Sequence, residues 1–112
     1  MTVNKELMKG STSTLVLTLL ARKQMYGYEM IKELEIMSQG LFELREGTLY
    51  PILHTLEEAG YVESKWVGEE GARQRRYYLI TKSGKALLKE KKAEWVSFRS
   101  AVDLIVLGQL RK

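Results

Sequence analysis

The hydrophobic period of the chain changes near Gly60, and this change limits the folds that the sequence can adopt. Before it, apolar residues recur at spacings of three and four, which predicts a helix over 46–60 with one buried stripe. The stripe consists of Leu49, Ile52, Leu53 and Leu56. After it, residues 61–67 are rich in aromatic and β-branched side chains and predict a strand. A helix that leads directly into a strand indicates an α+β domain.

A β-hairpin is predicted from residue 61 onward. Residues 68–72 form a polar turn flanked by glycines, and residues 75–81 read as a second strand. We expect Val62 and Trp66 to share one face of the first strand, and Tyr78 and Ile80 to share one face of the second.

Positive charge is concentrated in and after this hairpin. Between residues 69 and 92, eight Lys and Arg stand against three Glu, while the whole chain carries a net charge of +4. A local basic patch points to a polyanionic partner. For the lysines between 85 and 92, a solvated helix face is the better explanation. The arginines near the hairpin tip remain candidates for binding a polyanion.

Two further helices are predicted ahead of this region. The first covers 7–22, and its second half is apolar almost all round, so it should be buried on several sides. The second covers 26–38 and stops near Gly40, which is available for a left-handed cap. Its predicted core stripe is Met30, Ile31, Leu34 and Met37.

The last helix is the longest predicted element. Thr81 is a suitable N-cap, and a helix from 82 to about 109 would be roughly 40 Å long. Its wholly apolar run, 104–107, is far too short to cross a bilayer. Because a small monomer cannot bury that end, we expect two copies to pair about a two-fold axis. The expected dimer interface is Leu15, Leu19, Leu88, Trp95, Phe98, Val102 and Ile105.

The order of these elements predicts the fold class. Two helices joined by a short turn, followed by a basic hairpin, indicate a mainly helical α+β fold, the winged helix-turn-helix. We expect this domain over 1–81 and a dimerisation helix over 82–112, both within one compact unit. The length of 112 residues suits one domain.

Duplex DNA is the partner that this arrangement favours. The exposed face of helix 46–60 begins with small, aromatic and hydrogen-bonding side chains, suited to a DNA groove. That helix taken alone is better explained as a core helix exposing a Tyr and a His. For His54, a place in the core or exposure to solvent explains the residue at least as well as contact with DNA. For Arg76, an ion pair within the protein is equally plausible, and Tyr28 could pack inward. The candidate DNA contacts are Tyr26, Tyr28, Thr48, Tyr50, Pro51, His54, Arg73, Arg75 and Arg76.

Other classes of function find little support in the composition. The chain has one His, no Cys and no Gly-x-Gly phosphate loop, so we expect no enzyme activity, no metal and no cofactor. Residues 1–9 lack a signal-peptide core. Membrane binding by the last helix is disfavoured because its most apolar end is not its most basic. A winged-helix module that binds only proteins remains the alternative.

Four segments have a recognisable pattern: Tyr-Gly-Tyr-Glu-Met-Ile at 26–31, Gly-Thr-Leu-Tyr-Pro-Ile-Leu-His at 47–54, the run 56–62, and Arg-Arg-Tyr-Tyr at 75–78 with Thr81 and Gly84. In these segments the chain resembles the PadR family of bacterial transcriptional regulators, in its short form with a single C-terminal helix. The chain departs from the family at the hairpin tip, where Gln74 stands in place of a frequent Pro and Ala72 in place of a Gly. It also departs at Thr55, where a basic residue is common, and at Leu79, which is commonly polar.

The resemblance implies a cytoplasmic homodimeric repressor on a pseudo-palindromic operator. It further implies a response to phenolic acids or to planar, hydrophobic and often cationic drugs. Trp95 and Phe98 lie on the seam of the last helix and are the candidate ligand residues. Two arrangements are open: Trp95 faces its symmetry mate across a slot for a flat aromatic molecule, or it packs in a closed dimer core.

Overall fold

A computed structural model describes residues 10–68 and 70–108, and these residues form four helices and three strands. In chain order they are α1 (Thr12–Arg22), β1 (Met25–Tyr26), α2 (Gly27–Met37), α3 (Glu46–Glu58), β2 (Val62–Val67), β3 (Arg75–Ile80) and α4 (Lys82–Val106). The predicted first three residues of helix 7–22 lie outside this range, and α1 begins after a turn at residues 10–11. The predicted α+β, mainly helical class is confirmed.

The sheet has the antiparallel order β1-β3-β2. Strands β2 and β3 form the predicted hairpin, with Val62 opposite Ile80 and Val67 opposite Arg75. Strand β1 was not predicted, because residues 23–25 were interpreted as a linker. It consists of two residues only, and Tyr26 lies opposite Tyr77 of β3. The start of α2 is therefore joined directly to the hairpin.

The core lies between the helices and one face of the sheet. Val16, Leu17 and Leu19 of α1 are almost fully buried, as the apolar second half of that helix predicted. Leu49, Leu53 and Leu56 of α3 are buried as well, with Ile52 packed against them. Leu19 and Leu88 belong to this core, with 1% and 4% of their surface exposed. Both residues are thus covered within one chain and have no surface left for the dimer interface expected of them.

The end of α2 differs from the prediction in two ways. Met37, expected in the core stripe, is half exposed, and its Sδ accepts a hydrogen bond from Arg22 Nη1 at 2.9 Å. The first left-handed residue is Gln39, with φ of 55°, and Gly40 follows with φ of 82°. The Gly40 amide donates to the carbonyl of Glu35 at 2.8 Å, which closes the helix end. A residue with a Cβ therefore occupies the position that glycine usually takes.

The junction between α3 and α4 is held by a compact set of hydrogen bonds. Gly60 is left-handed, and the amide of Tyr61 donates to the Leu56 carbonyl at 2.9 Å. The Thr81 hydroxyl donates to the Gly60 carbonyl at 2.7 Å and accepts from the amide of Gly84 at 3.0 Å. The predicted N-cap is confirmed. These bonds fix the start of the long helix to the end of α3.

Helix α4 extends beyond the rest of the domain. Its 25 residues are about 37 Å long, and the molecule measures 62 × 32 × 20 Å. Its N-terminal part packs against α1, whereas most apolar residues after Leu88 are exposed. No helix in the described part of the chain is long and apolar enough to cross a membrane.

Candidate nucleic-acid interface

A concave cleft lies between the first turns of α2 and α3 on one side and the hairpin on the other. Three kinds of side chain line it: aromatic rings, arginines at the hairpin tip, and one acid at the start of α3. The main lining residues are Tyr26, Tyr28, Tyr50, Trp66, Arg73 and Arg75. The lining thus includes six of the nine predicted DNA contacts: Tyr26, Tyr28, Tyr50, Arg73, Arg75 and Arg76.

Helix α3 presents two faces, as its period predicted. Leu49 and Leu53 are fully buried, while Thr48, Tyr50 and Pro51 are exposed on the first turns. Pro51 is the sixth residue of α3 and lies inside the helix, so its missing amide leaves the Gly47 carbonyl without the usual helical donor. The backbone carbonyl of Arg45 accepts from the amides of Thr48 and Leu49, which starts the helix. Thr48 and Pro51 are open to solvent but lie outside the cleft lining.

The ring of Tyr50 rests on the first residue of α2. A Cβ added to Gly27 would overlap the hydroxyl and the ring carbon of Tyr50, so a side chain at position 27 would displace the exposed end of the Tyr50 ring. Tyr28 is 53% exposed and does not pack inward. Lys32 lies over the Tyr28 ring, with Nζ 5.5 Å from the ring centroid. The segment 26–28 therefore places two tyrosines beside the exposed start of α3.

Arg73 and Arg75 supply the positive charge of the cleft. Both are exposed, and neither forms an ion pair with any residue that the structure describes. The guanidinium carbon of Arg75 lies 4.6 Å from the centroid of the Tyr26 ring. Tyr26 in turn meets Tyr77 edge to face, with 5.4 Å between centroids. The cleft is thus both aromatic and cationic.

Arg76 has a different environment from its neighbour. Its Nη2 donates to Glu57 Oε1 at 3.0 Å, and its Nε donates to Ser64 Oγ at 2.9 Å. The Ser64 hydroxyl completes the triangle by donating to Glu57 Oε2 at 2.6 Å. Of the two roles open to Arg76 in the sequence, the structure places its guanidinium in the internal ion pair. This Glu57–Ser64–Arg76 triangle ties α3 to both strands of the hairpin.

Tyr78 lies beneath this triangle. Burial raises the pKa of Tyr78 above its ordinary value of 10.0, while the adjacent Arg76 acts to lower it and Glu57 to raise it. The Arg76 guanidinium carbon is 5.5 Å from the centroid of the Tyr78 ring. His54 lies away from the cleft, where its Nε2 is 3.3 Å from Glu58 Oε1 on the exposed side of α3.

Five lining residues of the cleft were not among the predicted contacts: Gly27, Glu46, Trp66, Gln74 and Tyr78. Trp66 shares the face of Val62 as predicted, but the hairpin extends past the core at that point, leaving 64% of the indole exposed. The position of Trp66 close to the hairpin tip in the sequence could have indicated that its side chain is exposed. Glu46 adds a negative charge to the cleft lining at the start of α3. Phosphate is therefore better accommodated on the hairpin side of the cleft than beside Glu46.

Trp95 and Phe98 lie together on α4, outside the cleft. Their ring centroids are 6.3 Å apart and their planes are inclined by 33°. About half of Trp95 and more than half of Phe98 are exposed in the single chain.

Comparison with known proteins supports the fold and its class of function. The family model described as the transcriptional regulator PadR-like family matches residues 16–90, from α1 into α4. The chain belongs to this PadR-like family. The predicted resemblance and the winged helix-turn-helix with a long C-terminal helix are thereby confirmed, and the class of function is transcriptional regulation.

Solved structures of similar regulators cover almost the whole PadR-like chain. A transcriptional regulator from Clostridium thermocellum is 32% identical with a TM-score of 0.84, over 91% of this chain and 99% of that one. A PadR family transcriptional regulator from Eggerthella lenta is 34% identical with a TM-score of 0.78, over 90% and 86%. Protein X of Lysinibacillus sphaericus is 31% identical over 106 residues, covering 95% of this chain and 97% of its own.

Proposed function

We propose that this PadR-like protein is a dimeric, ligand-responsive repressor that binds a pseudo-palindromic operator. The recognition segment is the helix predicted over 46–60, which is α3 with its cap, and the wing is residues 68–76. One observation carries the proposal: the exposed first turns of α3 border a single cleft with Arg73 and Arg75, which form no ion pair with any described residue. In this arrangement α3 enters the major groove while the wing contacts the flanking backbone or minor groove.

The residues in and beside the cleft favour backbone contacts over base contacts. The hydroxyls of Thr48 and Tyr50 donate to phosphates, and Tyr28 lies near the same backbone. Arg73 and Arg75 are the cationic contacts. Because few of these side chains distinguish base edges, DNA shape supplies part of the specificity. Arg76 acts by supporting the wing, and His54 is peripheral.

Dimerisation is supported by the exposed apolar surface of α4. Phe98 and Ile105 are 63% and 82% exposed in the single chain, and the apolar run continues to Leu107. Contiguous apolar surface of this kind marks interaction sites in soluble proteins. The proposed interface comprises Trp95, Phe98, Val102 and Ile105, together with the partly buried Leu15.

The proposed ligand is a planar, hydrophobic or aromatic molecule held between the two copies of Trp95, with Phe98 beside it. The face of an indole also favours a cationic ligand. The test is binding of a Hoechst-type dye to the wild-type dimer and to Trp95→Ala. The substitution is expected to weaken dye binding. An unchanged dye affinity in a variant that remains dimeric would show that Trp95 lines no such site.

The DNA-binding proposal is tested by fluorescence anisotropy with a labelled duplex from the protein's own promoter region. We expect a Kd that rises steeply with salt. Replacing Arg73 and Arg75 by Gln should lower the slope of log Kd against log salt by about two, because each phosphate contact contributes about 0.9. The matched control is Lys89→Gln with Lys92→Gln, which removes the same charge from an exposed part of α4 outside the cleft.

The second candidate function, a winged helix that binds only proteins, makes the opposite prediction. If the purified protein shows no salt-sensitive binding to that duplex, the exposed aromatic residues of the cleft become the candidate protein-binding surface. If the lysine variants reduce the slope as much as the arginine variants do, binding is not localised to the wing.

A further inference from the structure

We propose that Tyr26 is a positioning residue for DNA binding, and that its aromatic ring, rather than its hydroxyl, holds Arg75 in the orientation that meets DNA. This inference rests on the proposed function. It changes the role expected of Tyr26 from a direct backbone contact to a platform that acts through the wing.

The geometry around the Tyr26 ring fixes it from several directions. Its backbone belongs to β1, where it pairs with Tyr77, and the two rings meet edge to face at 5.4 Å. Its amide donates to Glu29 Oε1 at 3.3 Å, which ties it to the first turn of α2. Arg75 precedes Tyr77 by two residues and so lies on the same face of β3. The guanidinium therefore reaches back over a ring that the sheet and α2 hold in place.

A comparison of Arg75 with its neighbour Arg76 shows how the Tyr26 ring affects the wing. Arg76 uses Nε and Nη2 in bonds to Ser64 and Glu57. In the described part of the chain the side chain of Arg75 makes no hydrogen bond, and its guanidinium carbon lies 4.6 Å from the Tyr26 centroid. Stacking uses the flat face of a guanidinium and leaves its N–H groups free in the plane. Arg75 is thus ordered without losing the donors that a phosphate or a groove edge would accept.

The same contact links the wing to the recognition helix. Tyr26 is followed by Gly27, which packs against Tyr50 of α3. Segment 26–27 therefore lies between Arg75 on the hairpin and Tyr50 on α3, the two groups proposed to contact DNA. A platform at this point sets the position of the wing arginine relative to the helix in the groove.

The experiment separates the ring of Tyr26 from its hydroxyl. Duplex affinity is measured by anisotropy for Tyr26→Phe and Tyr26→Leu. Tyr26→Phe keeps the ring and should bind within about twofold of the wild type. Tyr26→Leu removes the ring and should weaken binding about three- to tenfold, in line with a cation–π contact of modest strength. Equal losses in both variants would assign Tyr26 a hydroxyl contact and overturn the proposal.

A double-mutant cycle tests whether Tyr26 acts through Arg75. The loss caused by Tyr26→Leu should largely disappear when Arg75 is already Gln. Additive losses would show that the two residues act independently and would overturn the proposal. The control is Tyr28→Leu, whose ring lies under Lys32 instead, and its effect should be additive with Arg75→Gln.

Arg75→Lys keeps the full charge and leaves Tyr26 and the fold untouched, so it covers the case in which Tyr26→Leu does not fold. Lysine has no flat face to stack on the ring, so the affinity for the duplex should fall. An affinity equal to that of the wild type would overturn the proposal.

The NMR resonance of Arg75 Hε tests the contact in the absence of DNA. We expect the Tyr26 ring current to shift this resonance in the wild type and in Tyr26→Phe, but not in Tyr26→Leu. If the wild type does not bind the duplex, both the proposed function and this role fail, whereas wild-type binding with the wrong variant pattern overturns this role alone.

Discussion

Arg75 and Arg76 are adjacent and carry the same charge, but they make different contacts because a strand directs neighbouring side chains to opposite faces. Arg76 faces α3 and enters the triangle with Glu57 and Ser64. Arg75 faces outward and stacks on Tyr26. In the sequence Arg75 was a candidate DNA contact, whereas DNA contact and an internal ion pair were equally plausible for Arg76. The alternation of the strand, combined with an acid at the end of α3, divides them.

Gln39 occupies a backbone conformation that suits glycine better. Its φ of 55° lies in the left-handed region, which costs a residue with a Cβ about 1 kcal/mol or more. We predict that Gln39→Gly raises the free energy of unfolding by about 1 kcal/mol, measured by urea denaturation.

The control for Gln39 is its neighbour. Gly40 has a φ of 82°, and a Cβ there would meet no atom within 4 Å, so Gly40→Ala isolates backbone strain from steric overlap. It should lower the free energy of unfolding by a similar amount. A destabilising Gln39→Gly substitution would mean that the glutamine side chain contributes more than its backbone strain costs.

Tyr78 gives the protein a predicted sensitivity to alkaline pH. Burial raises its pKa above 10.0, so above that pH the unfolded chain releases the Tyr78 proton more readily than the folded chain does. The free energy of unfolding should therefore fall as pH rises above 10. Urea denaturation at pH 8 and pH 10.5 should show a smaller fall in Tyr78→Phe than in the wild type. Equal falls would assign the effect to other groups.

At the scale of elements, the Glu57–Ser64–Arg76 triangle is the main polar connection between α3 and the hairpin. The side chains of Glu57 and Arg76 are 29% and 44% exposed, and their charges are joined by short hydrogen bonds. A double-mutant cycle of Glu57→Gln and Arg76→Gln should give a coupling of about 1 kcal/mol in the free energy of unfolding.

The exposed pair His54–Glu58 on the same helix is the matched control for that cycle. Its side chains are 72% and 70% exposed, and its coupling should stay below about 0.5 kcal/mol. Equal coupling in the two cycles would mean that the triangle adds nothing beyond an ordinary surface ion pair, and the wing would then be held by packing alone.

The elements that the sequence predicted well are those with local signals. The stripe of α3, the hairpin turn and the Thr81 cap each depend on residues within a few positions of one another. Strand β1 could not be predicted because its two residues pair with Tyr77 and Tyr78, more than 50 positions away. The exposure of Trp66 and the pairing of Arg76 likewise depend on where the core ends and where α3 lies. Residue type was thus enough to identify candidate residues of the cleft. The fold was needed to separate those that face DNA from those that hold the wing in place.

At the scale of the whole molecule, the charge and the apolar surface lie at different places. The wing arginines and the first turns of α3 face one cleft, while α4 carries an exposed apolar surface along a molecule 62 Å long. A single winged domain offers one recognition helix. Pairing through α4 would supply a second copy related by symmetry, which is what a pseudo-palindromic operator requires.

Ile105 provides the test of that pairing, because it is 82% exposed in the single chain and lies in the most apolar part of α4. Ile105→Asp should leave the fold intact, because the side chain makes little contact within its own chain, and should shift a dimer to monomer in analytical ultracentrifugation. It should also weaken binding to the full duplex far more than binding to a single half-site, because pairing raises the effective concentration of the second domain.

The control is Ile36→Asp, which places the same charge on another exposed isoleucine, 68% accessible on α2. It should remain dimeric and bind as the wild type does. If Ile105→Asp remains dimeric, the proposed interface along α4 is wrong. The ligand site proposed between the two copies of Trp95 is then wrong as well. A dimer that is lost only with Ile36→Asp would place the two-fold axis beside α2 and give the recognition helices a different spacing.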